Sequence, residues 1–562
     1  MIFSGRTTRK ALKPKTRLWL LLATILFSGV PFLSQEPQHH HLDAAETLGS
    51  VNFPTSCATT VQATFTRGMA LLYSFEYEQA ELAFENVAQK DPGCAMAYWG
   101  QAMSVYHQLW ERPSKPTLQK GAEFLTKARE LKSAPREHDY IRALSVFYSD
   151  DDPNKHDARA EAYCKAMKGV ADRYPEDREA QILYALSVLG SSSYHDPNLT
   201  SEKAAVAILI KLFNEEPTHP GIAHYIIHGC DNPQMASLAL PAARKYAAIA
   251  PASPHAVHMP SHIFARLGLW QDDIQSNLQA IEIADKQAAM RVHTVHHKVH
   301  SMDFLEYAYL QIGDDADAKK QVDELAAMRE QHGDADFMHD YLQTKQSTLP
   351  VVYAIERRQW KEALRLQPSS NVEPYAKAPV YWGHAVAAGH LRDAAAAQDA
   401  LDHYDELLEA TRKGPKPYNA EGMKQPGRVI EAWVAYAAGK EDEAVRELTA
   451  VADEQDKVGK GETELPAREM LADMLFESGK AQEALRHYEL SLKTDPNRFN
   501  GLYGAAQAAG KLQQKEKAAT YYSQLLKNCD GSHSDRPELA QAKTLVAGSS
   551  MRMHISPLSV VR

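Results

Sequence analysis

The stretch YEQAELAFENVAQKDPGCAMAYWGQA (Tyr77 to Ala102) decides the fold of this chain. A small residue, Ala80, is followed four places on by an aromatic, Phe84, and twelve places on by Pro92; Tyr98 and Trp99 then open a new apolar segment. Near the other end Ala484, Tyr488 and Pro496 repeat those offsets, and Ala518 and Tyr522 follow 34 residues after Ala484 and Tyr488. A fixed period of this size is the mark of stacked helical hairpins. The small residue lets two helices approach, the aromatic fills the gap to the next hairpin, and the proline stops the second helix. One hairpin cannot bury its apolar face alone, so stacking is obligatory.

The offsets are those of tetratricopeptide units, and LGLWQDDIQSNLQAIEIAD and GKEDEAVRELTAVADE supply further second helices. The expected fold is therefore all-α, a right-handed superhelix (α-solenoid) of tetratricopeptide-like hairpins. Composition agrees: 44% of the 562 residues are hydrophobic and 24% charged, and the chain is rich in good helix formers. So long a chain exceeds one compact core. We expect a first array over 53–334 with a histidine-rich groove and a second over 335–545, meeting near EQHGDADFMHD (Glu330 to Asp340). The charged insertion DEQDKVGKGETELPA (Asp453 to Ala467) stretches the period there.

Six basic residues (Arg6, Arg9, Lys10, Lys13, Lys15, Arg17) precede the apolar run LWLLLATILF, Leu18 to Phe27. Residues 1–35 are read as a signal peptide or N-terminal anchor, because that run is too short for an ordinary membrane span. Residues 36–52 read as a flexible leader and 546–562 as a loose tail. The protein is expected outside the cytoplasm, periplasmic or secreted. With a formal net charge of −10, nucleic acid is not an expected partner. Five scattered cysteines (Cys57, Cys94, Cys164, Cys230, Cys529) make no disulfide scaffold. Either Cys57 and Cys94, in neighbouring repeats, form one bridge, or all five are buried thiols.

Ten of the 25 histidines lie between His219 and His300. PTHPGIAHYIIH (Pro217 to His228) and PASPHAVHMPSH (Pro251 to His262) align so that His224 and His228 fall 34 residues before His258 and His262. Histidines four apart share a helix face, and a shift of one period carries them to the same place on the next hairpin. The four should therefore form a two-by-two patch on the concave groove. A third row is offered by His296 and His300, with His293 and His297 as the alternative pairing. Neutral imidazoles at this spacing clamp a divalent ion such as zinc. His219, His300 and Asp303 are the further candidate ligands; Asp231 is a ligand or a supporting partner, and His107 could face the same groove. HYIIH and HMPSH share the spacing of the zinc-protease signature, but Tyr225 and Met259 replace its glutamate base, so no protease is expected. Duplication alone can also copy a histidine pair without a role, and Pro260 should kink its helix.

At CAMAYWG (Cys94 to Gly100), HPGIAHYIIH (His219 to His228) and HMPSHIF (His258 to Phe264) the sequence resembles a family of exported bacterial tetratricopeptide-repeat proteins, from about Phe53 to Leu526. The resemblance implies the repeat fold, a bacterial source and histidine strings as a family feature; it supplies no activity or substrate. Its pattern includes cysteines matching Cys57 and Cys94, which favours the bridge. Two functions follow from these readings. The first is a non-enzymatic scaffold holding a protein, peptide or other ligand in the groove. The alternative is a divalent-metal-binding protein or metal-dependent hydrolase using His224, His228, His258 and His262; the lack of an evident general base argues against hydrolysis.

Overall fold

The computed structural model describes residues 47–109, 112–192, 196–289, 295–329, 336–370, 372–461 and 463–553, the side chains of 336–340 and 548–553 excepted. The expected signal or anchor lies outside these residues, as do the leader up to residue 46, His293, and the tail beyond residue 553. Among the described residues every regular element is a helix, and no helix is long and apolar enough to cross a membrane.

Consecutive helices pack in pairs, as the period requires. The first pair is α1 (Gln62–Tyr73) and α2 (Tyr77–Lys90), which in turn packs on α3 (Ala95–Ser104). Ala80 is buried at the close approach. The Phe84 ring fills a slot between two glycines: a Cβ on Gly68 would lie 2.8 Å from its Cε1, and one on Gly100 would lie 2.5 Å from its Cδ1. Tyr488 makes the equivalent contact in the rear, where a Cβ on Gly504 would come within 2.3 Å of its ring. The aromatic position thus works only with a small residue opposite it. Cys94 caps the start of α3 and is disulfide-bonded to Cys57.

The end of the expected leader is packed rather than flexible. Leu48 is buried, the Ser50 amide donates to Thr218 O at 3.0 Å, and the Asn52 amide donates to Glu179 Oε1 at 3.2 Å. The histidine-rich region supplies α4 (Pro220–Gly229), α5 (Ala236–Ile249), α6 (Pro254–His258), α7 (Pro260–Arg266), α8 (Trp270–Ala289) and α9 (Val295–Gln311). Pro260 does break its helix, ending α6 and opening α7 around Met259. Besides the neighbour packing, α1 lies directly against α4, about 150 residues later in the chain.

Both sides of the boundary expected near residue 335 belong to one compact unit. Helix α9 packs against α10 (Asp336–Glu356) and meets α12 (Phe499–Lys511), which follows α11 (Ala467–Glu477) in the rear repeats. At the centre of that junction Arg498 is buried. Its guanidinium donates to Glu469 at 2.8 and 2.9 Å, to Glu356 at 2.7 Å and to the Tyr307 hydroxyl. Removing one member of such a buried set strands the others, at a cost of about 3–5 kcal/mol. Gly268, at φ +62°, lets a front turn meet a rear one: a Cβ there would lie 2.2 Å from Pro496 O. The charged insertion also faces inward. The Gln234 side chain donates to Lys457 O at 2.5 Å, Thr463 donates to Asp303 at 3.2 Å, and Tyr307 donates to Glu464 O at 3.1 Å. The last helix, α13 (Pro537–Met553), runs on into the stretch expected to be a loose tail.

The bridge closes a sequence separation of 37 residues, which by chain entropy is worth about 4 kcal/mol. Replacing Cys57 and Cys94 together by serine should lower unfolding stability by about 2–4 kcal/mol in denaturant titration, with no change in helix content. An unchanged midpoint would show that the bridge does not constrain the unfolded chain.

Candidate metal centre

Helix α4 carries His224 and His228 on one face, the short α6 carries His255 and His258, α7 carries His262, and α9 carries His300. The four histidines of the expected two-by-two patch divide between two triads. His224 and His228 join His255, and His258 and His262 join His300; within each triad one ligand atom from each ring lies within 4.8 Å of the others. In the first, His224 Nε2 is 3.1 Å from both His255 Nε2 and His228 Nε2. In the second, His262 Nε2 is 3.1 Å from His258 Nε2 and 3.3 Å from His300 Nε2. Three imidazole nitrogens at about 2.0–2.1 Å from a tetrahedral zinc ion are about 3.3 Å apart, so both sets of separations have ligand dimensions.

The outward nitrogens fix the tautomers. His224 Nδ1 donates to the Tyr73 carbonyl at 2.7 Å. His258 Nδ1 donates to Asn277 Oδ1 at 2.6 Å, and the Asn277 amide is oriented by donating to Asp273 Oδ1 at 2.6 Å and to its carbonyl at 3.0 Å. His262 Nδ1 donates to Asp231 Oδ2 at 2.8 Å, while Arg266 Nε holds Asp231 Oδ1 at 2.8 Å. His300 Nδ1 is 2.7 Å from the Tyr341 hydroxyl. With Nδ1 protonated, each of the first three rings in its neutral form turns an Nε2 lone pair inward. In that form His258 and His262 bring two lone pairs to 3.1 Å, which is repulsive unless a proton or a metal ion lies between them. A proton can join one pair of nitrogens; a metal ion can be shared by all three of a triad.

Burial favours the neutral form of His224 and His255. His224, His255, His258 and His262 are buried, and His228 and His300 are half-buried. Loss of water pushes the His224 pKa down to about 3 and the His255 pKa well below its usual value, with neighbouring histidines adding to both. The hairpin turn Ser74–Glu76 closes over the first triad. Phe75 takes a left-handed φ of 56°, uncommon for a bulky residue; its ring lies 4.3 Å from that of His224 and 5.7 Å from that of His255. Glu76 accepts from Ser253 at 2.6 Å and lies 3.3 Å from His297, whose ring is 5.2 Å from that of His255.

Several expected site residues lie elsewhere. The six triad rings do not line an open groove, because four of them are buried where hairpins meet. His219 caps α4, with Nδ1 accepting from the Ile222 amide at 3.4 Å and Nε2 3.4 Å from Glu179, and belongs to neither triad. Asp303 pairs with Lys345 and Thr463 rather than facing a triad. His296 lies beside His297 with the two rings tilted at 44°, and His107 lies over Tyr77 at 4.3 Å. Asp231 accepts from His262 Nδ1 and belongs to neither triad. His255, Asn277, Tyr341 and the Phe75–Glu76 turn were not foreseen. His255 had one signal: it stands three residues before His258, on the same turn of helix. Cys57, Asp91 and Cys94 also cluster, but both sulfurs are in the disulfide.

Fold and site together define an all-helical, tetratricopeptide-like repeat protein with six clustered histidines at its centre. No family model matches the chain, and no curated protein does either. Among solved structures it is similar to human IFIT1, determined as a dimer with m7Gppp-AAAA, at TM-score 0.35 and 12% identity over 82% of this chain and 90% of that one. It is also similar to the TPR domain of P58(IPK), at TM-score 0.20 and 14% identity over 66% of this chain and 99% of that one.

The tautomers are testable without any ion. Nitrogen-resolved NMR of metal-free protein at neutral pH should find Nδ1 protonated in both His224 and His258. Protonation at Nε2 alone in His258 would remove the lone-pair contact.

Proposed function

We propose that the protein binds divalent transition-metal ions at the two histidine triads. The observation that carries this reading is the 3.1 Å approach of His258 Nε2 to His262 Nε2 with Asn277 and Asp231 holding both outer protons. A carboxylate behind a ligating imidazole is the usual support of such sites, and losing it typically costs 10–100-fold in affinity. An all-imidazole set suits zinc, copper or nickel and is a poor host for magnesium or calcium. Burial of four of the six rings separates this function from a groove that displays histidines to a peptide. We further infer that the chain works outside the cytoplasm; the disulfide supports this, since such bonds persist in oxidising compartments.

Elemental analysis of the protein purified without chelator, or reloaded with each ion, tests the proposal. Wild type should hold zinc, copper or nickel near stoichiometrically, and His258→Ala/His262→Ala should lose at least one ion per chain. Asp231→Asn should keep the fold and weaken binding 10–100-fold. Because the folded state alone presents the sites, metal at 100 times its Kd should add about 2.7 kcal/mol of stability for each occupied site. Metal-free wild type, with no thermal shift from any of the three ions, would overturn the proposal.

A further inference from the structure

We infer that the two triads form one two-ion centre, with the ions close enough to share a ligand, an inference that rests on metal binding at the triads. The spacing of the six rings carries it. Within the first triad the widest ring separation is 6.4 Å, between His228 and His255. Between the triads, His228 and His262 are 6.2 Å apart, and His255 and His258 are 6.1 Å apart. The gap between sites is therefore no wider than a site, and the six rings make one continuous cluster.

The chain enforces this closeness. His255 and His258 lie three residues apart on α6 and serve different triads, so neither set can move without the other. His228 and His262, one repeat apart, come from α4 and α7, which are in direct contact. The backbone at Met259, between α6 and α7, stays in the right-handed helical region, and His258 and His262 remain in one triad. Three ligands per ion leave a fourth position in a tetrahedral site. No carboxylate belongs to either triad, so two divalent ions bring a charge of about +4 to neutral ligands. Two acids beside the cluster are already engaged: Asp231 with Arg266, and Glu76 with His297. A small anion of one or two atoms, placed between the ions, meets both the vacant positions and the charge. The half-buried His228 and His300 mark where each triad comes nearest to solvent.

Copper(II) titration of the metal-free full chain, followed by electron paramagnetic resonance, reads the coupling directly. One equivalent should give close to a full one-spin signal if the ions bind in sequence, and two equivalents should give less than half the intensity of two isolated ions. His224→Ala, which removes one triad, should bind one ion with full intensity; the wild-type titration stands by itself if that variant fails to fold. Two ions with full, additive intensity would overturn the shared centre while leaving metal binding in place. Saturation at one ion would overturn it likewise. No bound copper at all would overturn both the centre and the function beneath it.

Discussion

Two buried imidazoles whose Nδ1 atoms both donate outward would, as neutral rings, repel each other at the 3.1 Å that separates their Nε2 atoms, and the surrounding helices hold His258 and His262 in that arrangement. Neither ring can relieve the contact by changing tautomer. His258 would have to abandon Asn277, which is itself fixed by Asp273 on α8, and His262 would have to abandon Asp231, which Arg266 grips from α7. A buried polar group without its partner costs several kcal/mol, so the outer hydrogen bonds prevail and the inner contact remains. A proton makes inner and outer shells compatible for this one pair, and a metal ion does so for the whole triad.

The repeat fold makes this rigidity available. Stacked hairpins ordinarily touch only their neighbours, and here that stacking sets α4, α6, α7 and α9 side by side. A second, non-neighbour contact completes the site. The first hairpin folds back so that the Tyr73 carbonyl meets His224, Phe75 covers the rings and Glu76 reaches His297. The left-handed backbone at Phe75 costs of the order of 1–3 kcal/mol, offset by a buried aromatic ring packed on histidines. From the other side, Arg498 and the inward-facing insertion tie the rear repeats to α9, the helix that carries His300.

Much of the fold was legible because it is periodic. Ala80, Phe84 and Pro92 announce a hairpin wherever they recur, and the same period singled out His224, His228, His258 and His262. What the period could not show is how those four divide. The site joins His224 to His255, 31 residues away, and His262 to His300, 38 residues away, so neither partner lies one repeat distant. Those pairings come from the packing of helices against one another rather than from the repeat period. Asn277 and Tyr341 act through single hydrogen bonds and have no sequence pattern at all. The turn of the first hairpin covers His224 and His255, a contact that the repeat period gives no sign of.

X-ray absorption spectroscopy of the metal-loaded protein tests the central claim most directly, because it counts the atoms around the ion. Three imidazole nitrogens per ion at about 2.0–2.1 Å, with the multiple scattering of histidine rings, is the predicted result. A first shell of oxygen atoms without imidazole scattering would place the ion elsewhere and contradict the account.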